Sequence, residues 1–254
     1  MQIITDIGNS DIVFGIYSEN QWQLIWRIPS KENRTQNDFK KEILDMLSAH
    51  NIEISSIHDV TLSSVVPKLT PVISNLLKSI FQQKVLVVNP SIYHRLNIKI
   101  TTNVNEIGTD LVANAVAGYH FANTACIIVD FGTALTFTSV DSEGIIQGVA
   151  IAPGIKTAMK SLASNAAQLP EIPLELPQSA IGKDTIHAIQ SGILYGYIGL
   201  VKGILQQTRS ELGPCKVIAT GGLSHILTSL QTEFDAIDKM LTMNGLRLIT
   251  EMNK

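Results

Sequence analysis

The sequence predicts an α/β protein made of two like halves, each a mixed sheet flanked by helices, and three observations carry that expectation. The segment Ile3-Ile4-Thr5-Asp6-Ile7-Gly8-Asn9-Ser10 returns as Ile127-Ile128-Val129-Asp130-Phe131-Gly132-Thr133-Ala134, an offset of 124 residues (3 to 127), close to half of the 254-residue chain. At the same offset Ser18-Glu19 falls on Ser142-Glu143 and Gln23 on Gln147. Both copies alternate apolar residues at a period of two around a tight Asp-x-Gly turn, and both are followed by segments of helical period. Chance similarity between short apolar strands would match hydrophobicity alone. Here the turn residues and the spacing match too, which favours duplication, with a first domain over 1–115 and a second over 116–254.

The elements follow in order. Gln2 to Thr5, Ile12 to Tyr17 and Trp22 to Ile28 read as three strands joined by tight turns. An amphipathic helix over Asn37 to Ala49 precedes a strand at Val60 to Ser64, which runs into Val65-Val66-Pro67. A helix over Leu69 to Phe81 and a strand over Val85 to Val88 complete the first half. The second half opens with strands at Cys126 to Val129, Leu135 to Val140 and Ile145 to Ile151. A helix near Ile155 to Ser164 follows, then a Pro-marked loop from Leu169 to Gly182, a helix over Thr185 to Glu211 and a strand at Lys216 to Ala219. Between like domains of this kind a cleft is expected, where a ligand-driven hinge would operate. The long helix carries Gly192, Gly196, Gly199 and Gly203 along one stripe. Each costs about 1 kcal/mol relative to Ala in a helix interior, so close approach of another helix, from this chain or a second copy, is expected to offset it.

Composition narrows the function. With 45% hydrophobic and 16% charged residues the chain can bury a sizeable core, which argues against disorder. A net charge of -3, with no run of Lys or Arg, offers no field for a polyanion, so no nucleic-acid partner is expected. The start MQIITDIGNSD has no basic region and meets Asp6 early, unlike a secretory signal. The most apolar helical stretch, Ala188 to Leu205, is interrupted by Gln190, Ser191 and Lys202 and falls short of the about 20 apolar residues of a bilayer span. It reads as a buried helix of a cytoplasmic protein with no membrane partner. Cys126 and Cys215, in or beside apolar runs, read as buried free thiols of a reducing compartment.

The two Asp-x-Gly turns are the main chemical signal. Each ends an apolar strand, so a carboxylate projects beside several backbone N–H groups. That combination suits Mg-ATP: glycine lets amides approach phosphate oxygens, Asn9, Ser10 and Thr133 add hydrogen bonds, and carboxylates hold a cation or its waters. One such turn alone is also an ordinary hairpin; two at matching places are far more specific. A third element, Val217-Ile218-Ala219-Thr220-Gly221-Gly222, is a strand running into a double glycine before an expected helix. A fourth, Gly108-Thr109-Asp110-Leu111-Val112-Ala113-Asn114, opens a helix with Asp110 near its N-terminus, where an N-cap role is the plainer alternative. Walker-type, dinucleotide-binding and nucleophile-elbow motifs are absent from the sequence, as is zinc spacing. His50, His58, His94, His120, His187 and His225 are scattered and read as solvated or structural.

Asp6-Ile7-Gly8-Asn9-Ser10, Ser63-Ser64-Val65-Val66-Pro67, Gly108-Thr109-Asp110, Asp130-Phe131-Gly132-Thr133-Ala134, Ala152-Pro153-Gly154, Gly182-Lys183-Asp184-Thr185 and Ala219-Thr220-Gly221-Gly222 together resemble, in order and spacing, the type III pantothenate kinase family. The resemblance extends to Leu241-Thr242-Met243-Asn244-Gly245-Leu246. It implies duplicated actin-like ATPase (ribonuclease H-like) domains, a homodimer, and phosphorylation of pantothenate to 4'-phosphopantothenate with ATP, Mg2+ and a monovalent cation, K+ or NH4+. It further implies that Asp6, Ile7, Gly8, Asn9, Ser10, Asp11, Ile12 and Val13 line the ATP phosphates, with Asp6 towards Mg2+ and Thr133 also on ATP. Asp130 would hold the monovalent cation. Thr101, Gly108, Thr109, Asp110, Leu111 and Thr185 would line the pantothenate site, with Asp110 as general base. Two positions depart from the family pattern: Leu111 stands where Arg is usual after Gly-x-Asp, and Thr101 where Tyr is frequent. Lys99, Lys156, Lys160 and Lys183 are the cations that could take the place of that Arg. A non-catalytic or regulatory relative, or a kinase of another small hydroxyl substrate, are the alternatives.

Overall fold

A computed structural model describes residues 1–30, 34–101, 103–165, 172–224 and 228–254. His225 and residues 169–171 of the Pro-marked loop lie outside that set. The chain divides into two compact units, one of Met1–Leu96, Asn103–Val116 and Thr242–Lys254, the other of Asn97–Thr102 and Ala117–Leu241.

In the first unit β1 (Gln2–Ile7), β2 (Asp11–Ser18) and β3 (Gln21–Pro29) form an antiparallel meander, and β4 (Asp59–Ser64) and β5 (Val85–Val87) extend it in parallel on the other side of β1. The sheet order is β3-β2-β1-β4-β5. Strand alternation sends Ile3, Ile7, Phe14, Trp26 and Leu62 to one face, where α1 (Gln36–Ala49) and α2 (Thr70–Phe81) close the core with Phe39, Ile43, Ile73 and Leu77. A capping box starts α1: Thr35 Oγ1 accepts from the Asp38 N–H at 3.3 Å, and the Asp38 carboxylate accepts from the Thr35 N–H at 2.8 Å. The opposite face carries Gln2, Ile4 and Asp6, and is met by α6 (Leu241–Met252). There Thr250 and Thr61 share a buried hydrogen bond of 2.7 Å, the Trp22 indole donates to Asn244 Oδ1 at 2.9 Å, and the Arg247 guanidinium lies over Tyr17.

The second unit repeats the plan. β7 (Cys126–Phe131), β8 (Ala134–Val140) and β9 (Ile145–Pro153) form the meander, and β10 (Lys216–Thr220) and β11 (Ala236–Ile237) continue it in parallel. With β6 (Lys99–Ile100) the order is β11-β10-β7-β8-β9-β6, so five strands reproduce the first sheet. Even the bulges correspond to within one residue, at Ile16/Tyr17 and Ser139/Val140. Ile127, Val129, Phe131, Phe137 and Val217 face α4 (Ile155–Asn165) and α5 (Thr185–Leu212). The two thiols are free: Cys126 is buried and its pKa is pushed up to about 12 by burial, whereas Cys215 is half-buried.

Several expectations are corrected. The helix expected over Thr185 to Glu211 forms as Thr185–Leu212, but instead of being buried throughout it buries only the stripe Ser191, Leu194, Tyr197, Val201 and Leu205. Among the described residues it is the one helix long and apolar enough to cross a membrane by length and composition. A Cβ on Gly192, Gly196, Gly199 or Gly203 would have no described atom within 4 Å, so no described part of this chain makes the close approach expected along that stripe. Among the described residues after Gly222 the next regular element is a 3-10 helix, Thr228–Glu233, rather than an α-helix. β6 and β11, of two residues each, are too short for a periodic signal. The sequence reading also assigned no helix to α6.

Candidate active site

Asp6 is the penultimate residue of β1, on the face away from the α1/α2 core. Parallel pairing puts Ser63 of β4 beside it in register, and the Ser63 hydroxyl donates to Asp6 Oδ1 at 2.8 Å. The same Ser63 Oγ lies 2.9 Å from Thr109 Oγ1, at the start of α3 (Thr109–Ala122). Ser63 is fully buried. The strand-end carboxylate and the Gly108-Thr109-Asp110 turn, about a hundred residues apart in sequence, are thus joined through one serine.

Asp110 follows directly. Its carboxylate folds back over Gly108, where any Cβ would clash with Oδ1, and it accepts the Leu111 N–H at 2.8 Å. Burial raises its pKa above the ordinary aspartate value, with backbone N–H groups partly opposing the shift. Tyr93 lies buried in the same unit on the 3-10 helix Pro90–Arg95; burial first, and then the charge of Asp110, push its phenol up to about 12. A carboxylate with a raised pKa beside hydroxyl groups is suited to accept a proton from an attacking alcohol.

Gly8 N–H donates to Asp11 O at 2.9 Å and Gly8 O accepts from Ser30 Oγ at 2.7 Å, which fixes the first Asp-x-Gly turn. Asn9 and Ser10 are exposed on it, while the side chains of Ile7 and Ile12 are fully buried, leaving only their main chain available to a ligand. Val13 and Asp11 are half-buried and Leu111 likewise.

In the second unit Asp130 occupies the place in β7 that Asp6 has in β1, with Thr220 of β10 beside it in register and Thr136 of β8 opposite. A Cβ on Gly221, at φ +90°, would lie 2.6 Å from both Asp130 Oδ1 and Phe131 O, so only glycine admits this approach. Gly154 packs bare backbone onto Gly132 and Thr133, and its N–H donates to Thr133 O at 3.0 Å. Thr133 itself is exposed. The buried Thr136 Oγ1 has no hydrogen-bond partner among the described residues. Thr101, just after β6, and Thr185, the first residue of α5, are exposed and also belong to this unit. No cluster of three or more His, Cys, Asp or Glu side chains suited to a metal ion occurs among the described residues.

Ser63 stood in a sequence motif without a role of its own, and Tyr93 and Thr136 were not singled out from the sequence. Polar residues ending a strand beside the first Asp-x-Gly strand were a usable sign for Ser63. Tyr93 has no local signature, because its importance lies in what it is buried beside.

The sequence profile of type III pantothenate kinase matches residues 2–207. A type III pantothenate kinase of Treponema pallidum (strain Nichols) is 42% identical over 256 aligned positions, covering 98% of this chain and 93% of the relative. One from Citrifermentans bemidjiense is 39% identical, with both chains covered completely (100%). Among solved structures, the inorganic polyphosphate/ATP-glucomannokinase of Arthrobacter sp. strain KM superposes with a TM-score of 0.51 at 13% identity, over 100% of this chain and 99% of that one. That likeness is one of fold. With the mixed sheets and flanking helices described above, it identifies the architecture as that of the actin-like ATPases.

Proposed function

The chain belongs to the type III pantothenate kinase family, and on that premise we propose that it transfers the γ-phosphoryl group of ATP to the primary hydroxyl of pantothenate. The product is 4'-phosphopantothenate, the first committed intermediate towards coenzyme A. The observation that carries the reading is Asp110, a carboxylate of raised pKa on a turn tied by hydrogen bonds to Asp6.

In this reading Asp110 takes the proton of the acceptor hydroxyl as its oxygen attacks the γ-phosphorus in line. Gly108, Thr109 and Leu111 are assigned to the acceptor, as the family resemblance also assigns Thr101 and Thr185. The turn from Asp6 to Val13 and the exposed Thr133 face the nucleotide, and the amides of the Asp-x-Gly turn balance phosphate charge. The Asp6 carboxylate, which accepts from the Ser63 hydroxyl, is an oxygen donor that fits Mg2+, an ion that takes few protein ligands and completes its shell with phosphate and water. When bound, Mg2+ spreads the charge of the transferring group. Around Asp130, the carboxylate and Phe131 O both crowd Gly221 and the orphaned Thr136 hydroxyl lies across the strand pair, an oxygen-rich setting that fits K+ or NH4+.

Homodimer assembly in the cytoplasm is part of the proposal. Its support is the uncovered glycine face of α5 together with exposed Ile151 and Ile181 in the same unit. A second reading, a nucleotide-binding relative without turnover, is favoured by one observation, Leu111 in place of the family's usual Arg. Replacing K+ by Na+ separates the cation assignment from the rest. Wild-type turnover is expected to fall in Na+, and Asp130→Asn to be slow in both salts. A variant that keeps its K+ activation would remove Asp130 from that role.

A further inference from the structure

The hydrogen bonds around Ser63 have only one consistent direction. A serine hydroxyl has a single proton, and an ionised carboxylate can only accept. With Ser63 Oγ donating to Asp6 Oδ1 at 2.8 Å, the 2.9 Å contact between Ser63 Oγ and Thr109 Oγ1 requires Thr109 to donate. The chain therefore runs Thr109 O–H to Ser63 O–H to Asp6 carboxylate, through a fully buried serine held at its register by β1 and β4. Thr109 Oγ1, its proton spent, is left with lone pairs alone. The same register sets Thr220, also buried, beside Asp130 in the second unit, so the pairing of a strand-end carboxylate with a hydroxyl on the adjacent parallel strand is repeated.

We propose that Ser63 is a positioning residue that couples the two sides of the site: it orients Asp6 for the nucleotide and polarises Thr109 so that it accepts a hydrogen bond from the acceptor substrate. The proposal deepens the kinase reading and rests on it for the identity of the two ligands. It also restricts the acceptor. A molecule that satisfies Thr109 must carry a second donor, a hydroxyl or amide N–H, beside the hydroxyl that is phosphorylated. A carboxylate or ether oxygen there would meet only lone pairs.

The discriminating experiment is calorimetric binding of Mg-ADP and of pantothenate to the full chain and to Ser63→Ala, Thr109→Val, the double variant and Thr109→Ser. Thermal unfolding of each establishes that it is folded. Loss of one ordinary hydrogen bond is worth about 3- to 10-fold, and that is the range expected for Mg-ADP with Ser63→Ala, because Ser63 acts on the nucleotide only through Asp6. Thr109→Val, altered on the acceptor side, is expected to weaken Mg-ADP binding too, and the double variant to be no weaker than the weaker single. Thr109→Ser restores the wild-type value. Should Ser63→Ala fail to fold, the near-isosteric Ser63→Cys, a weak donor, is expected to weaken Mg-ADP binding in the same direction. Independent factors that multiply in the double variant, or unchanged Mg-ADP binding in Thr109→Val, would overturn the coupling. A wild-type protein that binds Mg-ADP without phosphorylating pantothenate would instead refute the substrate assignment while leaving this cycle readable.

Discussion

Asp110 carries opposite demands on activity and stability. Burial raises its pKa, so the folded chain holds this proton more tightly than the unfolded chain does. Stability from this group is therefore fully present below the unfolded pKa, and is lost as pH rises towards the folded one. A base acts only when deprotonated, so turnover should rise with pH over the same window, with its acidic limb above the ordinary aspartate range. Asp110→Asn is expected to lower turnover about 10²- to 10⁴-fold while leaving Mg-ADP binding within about threefold. It should also unfold at the same or a higher temperature at pH 8. A variant that unfolds several degrees lower would mean that the carboxylate is structural. The places of Asp6 and Asp130 near strand ends and of Asp110 at a helix start were legible because glycine-bearing turns mark them in the sequence. The contacts that orient them were not: Ser63 meets residues 57 and 46 positions away, a distance over which local pattern carries no information.

At the scale of elements, two glycines on helices make opposite cases. Gly245 sets α6 so close to α3 that any Cβ would collide with the Ala113 backbone, and the start of α3 holds Thr109 and Asp110. Gly245→Ala is therefore expected to cost about 1–3 kcal/mol in urea unfolding, as overpacking does, and to lower turnover by shifting the turn. Gly196 on α5 has open space instead. In an isolated chain Gly196→Ala would gain about 1 kcal/mol of helix propensity. If a second copy covers this face, the bulkier Gly196→Leu should turn the dimer into a folded monomer in sedimentation. A wild-type protein that sediments as a monomer would refute the dimer. The long periodic elements, α1, α2 and α5 with the two meanders, were legible from alternation and helical period alone. The sequence reading passed over α6 even though it is amphipathic. Its role depends on partners far away in the chain, Thr61, Trp22 and Tyr17, which no local window contains.

At the scale of the whole molecule the repeat was the most informative feature. One 124-residue offset (3 to 127) in the sequence became two sheets whose strands follow the same order, with matched bulges and matched strand-end carboxylates. Duplication of one strand-turn-strand half also accounts for two Asp-x-Gly turns, rather than one phosphate loop, carrying the chemical signal. In the proposed site the two departures from the family, Leu111 and Thr101, would bear on the substrate side rather than on the fold. They make turnover itself the decisive observable. The most direct measurement is ADP release by the purified chain with ATP, Mg2+ and K+, with and without pantothenate, and the mass of the product. The account predicts pantothenate-dependent ADP release with 4'-phosphopantothenate formed in equal amount. ADP release that ignores pantothenate, or tight ATP binding with no turnover in K+ or NH4+, would contradict it.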